Sequence, residues 1–253
     1  MTIGRRVVLV TGAAGGLGKA ICVQLARDGF DIAAADVNLE AACQVAAEIA
    51  ALGVECLPVE MDVSSESSVK AGFAALQDRF GRLDAVVSNA GISGKRTPLE
   101  TADLADWEHV LRINLIGTFL VAREAIGLLR AGEHPRIVNM ASHAARARTG
   151  TGKAQYAASK AGIVGLSRVL ADELGPDGIT VNCVAPSRTM TPLTVAAAGA
   201  DVENYFKAGA ALTALGRLAV PEDIAGAVSY LCSPQAAFIT GTVIDVNGGA
   251  FMT

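Results

Sequence analysis

Aromatic side chains are scarce in this sequence. Phe, Trp and Tyr together make up 4% of the 253 residues, so aliphatic side chains and alanine must build any core. Charged residues are also few, at 18% against 51% apolar, a balance that excludes a largely disordered chain. The formal charge of −4 argues against nucleic acid as a main partner. No apolar run is long enough to span a bilayer. Residues 1–6 lead straight into a strand-like segment, so no secretory leader is expected. The five cysteines, Cys22, Cys43, Cys56, Cys183 and Cys232, show neither a CxxC pair nor a Cys/His ligand spacing. Buried free thiols in a reducing cytoplasm are the expectation. The three histidines, His109, His134 and His143, share no ligand spacing, and no metal site is expected.

What the chain does have is a regular alternation of short aliphatic runs and amphipathic segments. Strands are expected at 6–11, 31–36, 54–61, 83–88, 136–142, 179–184 and 241–246. Helices are expected at 16–28, 39–52, 67–80, 107–129, 155–174 and 221–233. Strands apolar throughout, with helices between them, give an α/β fold: a doubly wound, seven-stranded parallel sheet with helices on both faces, the Rossmann arrangement. Right-handed crossovers make residues 1–253 one domain for dinucleotide binding and catalysis. The long irregular stretch 187–216, rich in alanine and glycine, is expected to be a mobile cover over the site.

The first strand runs into a glycine-rich turn, Thr11-Gly-Ala-Ala-Gly-Gly-Leu-Gly18. Gly12 permits a tight turn, Gly16 lets a diphosphate approach the backbone, and Gly18 lets the helix pack close to the sheet. Leu17 sits between them on the helix whose N-terminal N–H groups face the phosphates. A merely structural turn is the alternative. Asp36 ends the second strand, where a carboxylate can hold both ribose hydroxyls and repel a 2′-phosphate. This points to NAD, with NADP less favoured; a surface aspartate before Asn38 is the bland alternative. Asp62 and Val63 follow the third strand beside the same groove. Asn89-Ala90-Gly91 ends the fourth, at the edge where such sheets bind ligands.

Tyr156 and Lys160 lie four apart on an expected helix, so a phenol and an ammonium share one face. A phenol titrates near ~10. A cation ~5–6 Å away at an effective dielectric of about 20 is worth roughly 3 kcal/mol, about two pKa units downward. That would bring Tyr156 into range for proton exchange with an alcohol or carbonyl. An incidental pair on an exposed helix is the alternative.

The glycine loop, Asn89-Ala-Gly91, Asn114, Ser142, Tyr156 and Lys160, in this order over nearly the whole chain, closely resemble the short-chain dehydrogenase/reductase family. The resemblance implies roles. Tyr156 is then the general acid/base, and Lys160 lowers its pKa and binds the nicotinamide ribose. Ser142 hydrogen-bonds the substrate oxygen. Asn114 holds a water of a proton relay. Pro186, Thr189 and Thr191 contact the nicotinamide end, and Asp62, Val63 and Asn89 the adenosine end. Position 88 is Ser where the family usually has Asn, and position 187 is Ser where it usually has Gly.

The expected activity is an NAD-dependent interconversion of a secondary alcohol and a ketone, acting on a small molecule. Reduction of carrier-bound 3-oxoacyl thioesters is the rival, with Arg130 and Arg136 as docking candidates. A catalytically silent dinucleotide-binding regulator is the reading of another class. The loop before Tyr156 carries Arg146, Arg148 and Lys153, which suit either an anionic substrate group or a solvated or subunit-contact loop. Helices richer in apolar residues than one sheet face needs, with the family's habit, imply a homotetramer.

Overall fold

The structure is a computed structural model that describes residues 5–147, 152–192, 194–195 and 201–252. Seven parallel strands form one sheet in the order β3-β2-β1-β4-β5-β6-β7. They are β1 (Arg6–Thr11), β2 (Phe30–Asp36), β3 (Cys56–Glu60), β4 (Ala85–Ser88), β5 (Arg136–Met140), β6 (Thr180–Pro186) and β7 (Val243–Val246). The helices between them are α1 (Gly16–Arg27), α2 (Leu39–Ala50), α3 (Glu66–Phe80), α4 (Leu104–Leu111), α5 (Gly117–Arg130), α6 (Ala154–Leu174), α7 (Val202–Ala210) and α8 (Pro221–Cys232).

Strand residues alternate between two cores, as the period of two in a strand demands. Val8 and Val10 of β1 pack with Ile21 and Leu25 of α1, Val45 of α2 and Ile224 of α8. Val7 and Leu9 point to the other face, with Phe73 of α3, Leu120 of α5 and Leu174 of α6. Each buried leucine or isoleucine contributes about 1.5–3 kcal/mol, and aliphatic residues indeed fill most of both cores. Register is continuous from Arg6↔Phe30 to Thr11↔Ala35 between β1 and β2. On its other side β1 pairs with β4, Val8 opposite Ala85. The chain winds outward in opposite directions from β1, so the crevice beyond the ends of β1 and β4 is the switch point where such sheets bind ligands.

The helix expected over 107–129 is divided. Between α4 and α5 the backbone widens across Arg112–Ile116, where the Gly117 N–H reaches the carbonyl five residues back, on Arg112. A one-turn widening of this kind is uncommon and collects at functional sites. The stretch expected to be irregular, 187–216, contains α7, capped by Asp201, whose side chain accepts from the Asn204 N–H. Positions 193 and 196–200 of that stretch, and Arg148 of the basic loop, lie outside the described residues.

Candidate active site

The glycine turn is shaped by close approaches. Gly12 has φ +65°, and a Cβ on it would lie 2.9 Å from Ala90 Cα. A Cβ on Gly18 would lie 1.9 Å from the Gly12 carbonyl oxygen, so α1 can start only where no side chain intervenes. Asn89 locks this arrangement. Its Nδ2 donates to the carbonyls of Thr11 at 2.9 Å and Gly12 at 3.1 Å, while Thr11 Oγ1 accepts from the Asn89 and Ala90 N–H groups. The amide donors of Asn89 thus hold the turn. Leu17 packs into the core below α1. The residue before α1, Gly15, brings no side-chain cap, so the first N–H groups of this twelve-residue helix remain available to an anion.

Asp36 stands at the far end of this cradle. Its Oδ2 accepts from the Ala14 N–H and its Oδ1 from the Asn38 N–H, both at 3.0 Å. The carboxylate is therefore fixed against the glycine turn itself. Asp62 is held by Ser64, whose N–H and hydroxyl donate to Oδ1 at 2.9 and 2.7 Å. Val63 beside it is buried against Gly117, where a Cβ would lie 2.9 Å from Val63 Cγ2. These residues fit a dinucleotide: an uncapped helix end for its phosphates, a cradle free of side chains, and an acid placed for a ribose.

At the other end, Ser142, Tyr156 and Lys160 converge. Ser142 follows β5 and caps the next turn, its Oγ accepting from the Ala144 N–H at 3.1 Å. The Ser142 hydroxyl lies close enough to the Tyr156 phenol to favour its ionised form. Lys160 is buried, its Nζ 5.8 Å from the Tyr156 ring centre and donating to the Met140 carbonyl at 2.7 Å. A Cβ on Gly91 would lie 3.0 Å from Asn114 Oδ1 and 3.5 Å from Lys160 Nζ, so a side chain there would crowd Asn114 and touch the amine.

Asn114 lies in the widened turn and is fully buried. Its Nδ2 donates to the Ile92 carbonyl at 2.9 Å and to Ser159 Oγ at 3.0 Å, and its Oδ1 accepts from the Ile92 N–H at 2.8 Å. Thr118 Oγ1 donates to its carbonyl at 2.7 Å. Both amide donors are committed to protein groups, which narrows the expected water-holding role. Ser159 itself donates to the Tyr156 carbonyl at 2.7 Å. Sequence reasoning passed over Ser159 although it sits inside the Tyr-Ala-Ala-Ser-Lys run.

The electrostatics differ from the sequence expectation in one respect. Burial raises the Tyr156 phenol above its ordinary value, with the Ser142 hydrogen bond pulling the other way. Burial lowers the Lys160 amine to about 8. A low-dielectric setting disfavours charge on either group, and at Tyr156 it outweighs the pull of Ser142.

Pro186 ends β6 opposite Val246. Thr189 is buried, its hydroxyl turned to the Ser187 carbonyl at 3.1 Å, and it bridges to Ala219. Thr191 faces the glycine turn: its Cβ would lie 3.8 Å from a Cβ on Gly16. So the segment after β6 and the glycine turn approach each other closely. Arg146 is already paired, its Nη1 2.7 Å from Asp245 Oδ2. It therefore leaves the candidate anion site proposed from the basic loop. Ser88 keeps a buried hydroxyl without a hydrogen-bond partner. Among the described residues no His, Cys, Asp or Glu group is arranged to hold a metal ion, and no helix is long and apolar enough to cross a membrane.

A doubly wound sheet with a phenol, a hydroxyl and an amine gathered beside a dinucleotide cradle defines an oxidoreductase acting on CH–OH groups. The comparisons with known proteins agree. Residues 12–250 match the family model described as enoyl-(acyl carrier protein) reductase. The 3-oxoacyl-[acyl-carrier-protein] reductase FabG of Aquifex aeolicus (strain VF5) is 39% identical over 248 residues, covering 97% of each chain. The D-threitol dehydrogenase of Mycolicibacterium smegmatis (strain ATCC 700084 / mc(2)155) is 41% identical, over 96% of this chain and 92% of its own. A crystal structure of levodione reductase superposes with a TM-score of 0.92 at 34% identity, over 96% of both chains. The chain belongs to the short-chain dehydrogenase/reductase family.

Proposed function

We propose that this chain uses NAD to interconvert a small-molecule secondary alcohol and its ketone, with Tyr156 as general acid/base. The observation that carries the reading is the gathering of Tyr156 with Lys160, its Nζ 5.8 Å from the phenol ring centre, beside Ser142 at the carboxyl edge of β5. When bound, the dinucleotide supplies the hydride acceptor or donor. Gly12, Gly16, Leu17 and Gly18 would hold its phosphates, Asp36 and Asp62 its adenosine half, and Gly91, Pro186, Thr189 and Thr191 its nicotinamide half. Lys160 would hold the nicotinamide ribose.

In oxidation, Tyr156 takes the proton of the substrate hydroxyl while Ser142 donates to the same oxygen and fixes its place. In reduction the same phenol returns the proton. Asn114 acts as a positioning residue, joining the turn at Ile92 to the helix that carries Tyr156. The segment 187–216 covers this groove, a role supported by the approach of Thr191 to Gly16. The preference for NAD rests on Asp36, whose fixed carboxylate would repel a 2′-phosphate. Unpaired cysteines are consistent with a cytoplasmic site of action. Exposed apolar residues on α5 and α6, Phe119 and Val169, support assembly as a homotetramer.

The Aquifex relative favours a second reading, reduction of carrier-bound 3-oxoacyl thioesters. Against it, Arg130 is paired with Asp177 at 2.8 Å and Arg136 is buried beneath the surface, so neither is a ready docking cation. A silent regulator would need neither Tyr156 nor Lys160. The test is a panel of secondary alcohols with NAD and NADP. Wild type should turn over, and Tyr156→Phe should lose activity at least about a thousand-fold. Equal rates for the two proteins would sink the assignment.

A further inference from the structure

The segment after β7 folds back onto the turn that Ser142 opens. Asn247 shapes it. Its Oδ1 accepts from the Gly249 N–H at 2.8 Å, its Nδ2 donates to the Phe251 carbonyl at 2.9 Å, and its own carbonyl accepts from the Ala250 N–H at 3.1 Å. Asn247 is buried, so both ends of its amide serve this turn. Gly248 and Gly249 have φ +60° and +79°, which lets the chain reverse within two residues. From behind, the turn is wedged against residues 213–215. The Leu215 N–H donates to the Gly248 carbonyl at 3.1 Å, and a Cβ on Gly249 would lie 2.7 Å from Ala214 Cβ. Phe251 is thereby held in one place.

Phe251 meets the Ser142 turn at two points. Its ring lies edge to face with the His143 ring, the centres 6.1 Å apart and the planes at 85°. The Arg146 guanidinium carbon lies 5.9 Å from its centre, while Arg146 Nη1 reaches Asp245 Oδ2 at the end of β7. His143 Nδ1 is buried without a hydrogen-bond partner. That nitrogen gives the ring no hold, so packing against Phe251 decides where it sits.

This packing bears on the catalytic hydroxyl. Residues 142–147 form one tight turn: the Ala145 N–H donates to the Ser142 carbonyl at 2.9 Å, and the Ala147 N–H to the His143 carbonyl at 3.0 Å. Ser142 Oγ accepts from the Ala144 N–H at 3.1 Å. A serine hydroxyl has one donor and two acceptor positions. The Ala144 N–H fills one acceptor position, so the direction in which Ser142 can donate depends on where residues 143–145 lie.

We propose that Phe251 is a positioning residue for the Ser142 hydroxyl, acting through His143. The inference rests on the reading of Ser142 as the donor to the substrate oxygen. Phe251 need touch neither substrate nor cofactor. A donor displaced by a fraction of an ångström weakens a bond that must be strongest in the transition state, so the loss falls on kcat.

A double-mutant cycle tests this, with the full-length enzyme, NAD and a secondary alcohol that the wild type oxidises. Phe251→Ala should lower kcat about ten-fold and leave KM within about two-fold of wild type. Ser142→Ala should lower kcat about a hundred-fold. In the Ser142→Ala background, Phe251→Ala should cost less than about two-fold more, because the group it positions is gone. Phe251→Tyr keeps the ring and should retain most of the activity. Urea unfolding checks that each variant is folded in the assay. Phe251→Leu, which keeps apolar volume without the ring edge, takes the place of Phe251→Ala in the cycle if alanine does not fold. A loss of about ten-fold that persists in the Ser142→Ala background would overturn the proposal. So would wild-type kcat in Phe251→Ala, or a loss carried by KM. Wild-type kcat in Ser142→Ala would instead remove the reading of Ser142 on which the proposal rests.

Discussion

The Asn114 side chain donates to the Ser159 hydroxyl at 3.0 Å, joining the widened turn between α4 and α5 to the helix that carries Tyr156 and Lys160. Ser159 passes the connection on, donating to the Tyr156 carbonyl at 2.7 Å. The same amide clamps Ile92 through both its N–H and its carbonyl. One buried residue therefore sets the spacing among the loop after β4, the widened turn and the catalytic helix.

Asn114→Ala should be costly for that reason. It leaves buried groups at Ile92 and Ser159 without partners, each worth about 1–3 kcal/mol. A loss of ~2–4 kcal/mol in urea unfolding is expected, together with a fall in kcat larger than any change in KM. Ser159→Ala, which removes one link, should lose about half as much. Wild-type stability and kcat in Asn114→Ala would show that the clamp is not needed.

The succession of strands and helices, the glycine turn and the spacing of Tyr156 and Lys160 were readable because each follows from local rules, whereas Ser142 entered through the family resemblance. Apolar runs of strand length, glycines at fixed offsets and a four-residue helical spacing all declare themselves along the chain. Two things were not readable. The widening at Arg112–Ile116 leaves the apolar periodicity of α4 and α5 intact, so the pattern reads as one helix. And the partners of charged residues are set by tertiary packing: Arg146 finds Asp245, 99 positions further along the chain. Helix α7 was missed because alanine and glycine around it mask the cap at Asp201.

Asp36 supports two functions that a substitution separates. Asp36→Ala removes the charge that disfavours a 2′-phosphate, so the ratio of kcat/KM for NAD over NADP should fall by roughly ten- to a hundred-fold. It also frees the Ala14 and Asn38 N–H groups, so a loss of about 1–2 kcal/mol is expected by thermal unfolding. Asp36→Asn keeps acceptors for those N–H groups and should recover most of the stability while keeping the relaxed cofactor choice. An unchanged cofactor ratio in both variants would remove the basis for preferring NAD.

Arg146 is expected to matter for stability rather than for substrate choice. Its guanidinium pairs with Asp245 at 2.7 Å, both side chains mostly buried, and Asp245 Oδ1 has no other hydrogen-bond partner. Arg146→Ala strands that carboxylate, and a loss of about 1–3 kcal/mol should follow in denaturant unfolding. The KM for the alcohol should stay near the wild-type value. If Arg146→Ala instead raised KM at wild-type stability, the basic loop would have to be reassigned.

Lys160 makes a prediction about pH that is free of any substrate. Its amine titrates at about 8 in the folded chain, lowered by burial, against roughly 10.4 when unfolded. Between these values the unfolded chain binds more protons than the folded one, so this group makes stability rise with pH. Its contribution is complete above the unfolded value and is lost as pH falls through about 8. The buried cysteines oppose it, since burial raises the Cys232 thiol to about 12, and their contribution falls as pH climbs above the thiol's ordinary range. The useful quantity is therefore the difference between wild type and Lys160→Met. Measured by urea unfolding of the cofactor-free protein, that difference should move in favour of wild type between pH 7.5 and 9, by roughly 1 kcal/mol. The Met140 carbonyl works in the opposite sense, because its 2.7 Å bond from Nζ is strongest to the ammonium form. A difference that stays flat across this range would mean that this bond holds the amine charged despite its burial, and that Lys160 meets its substrate as a cation throughout.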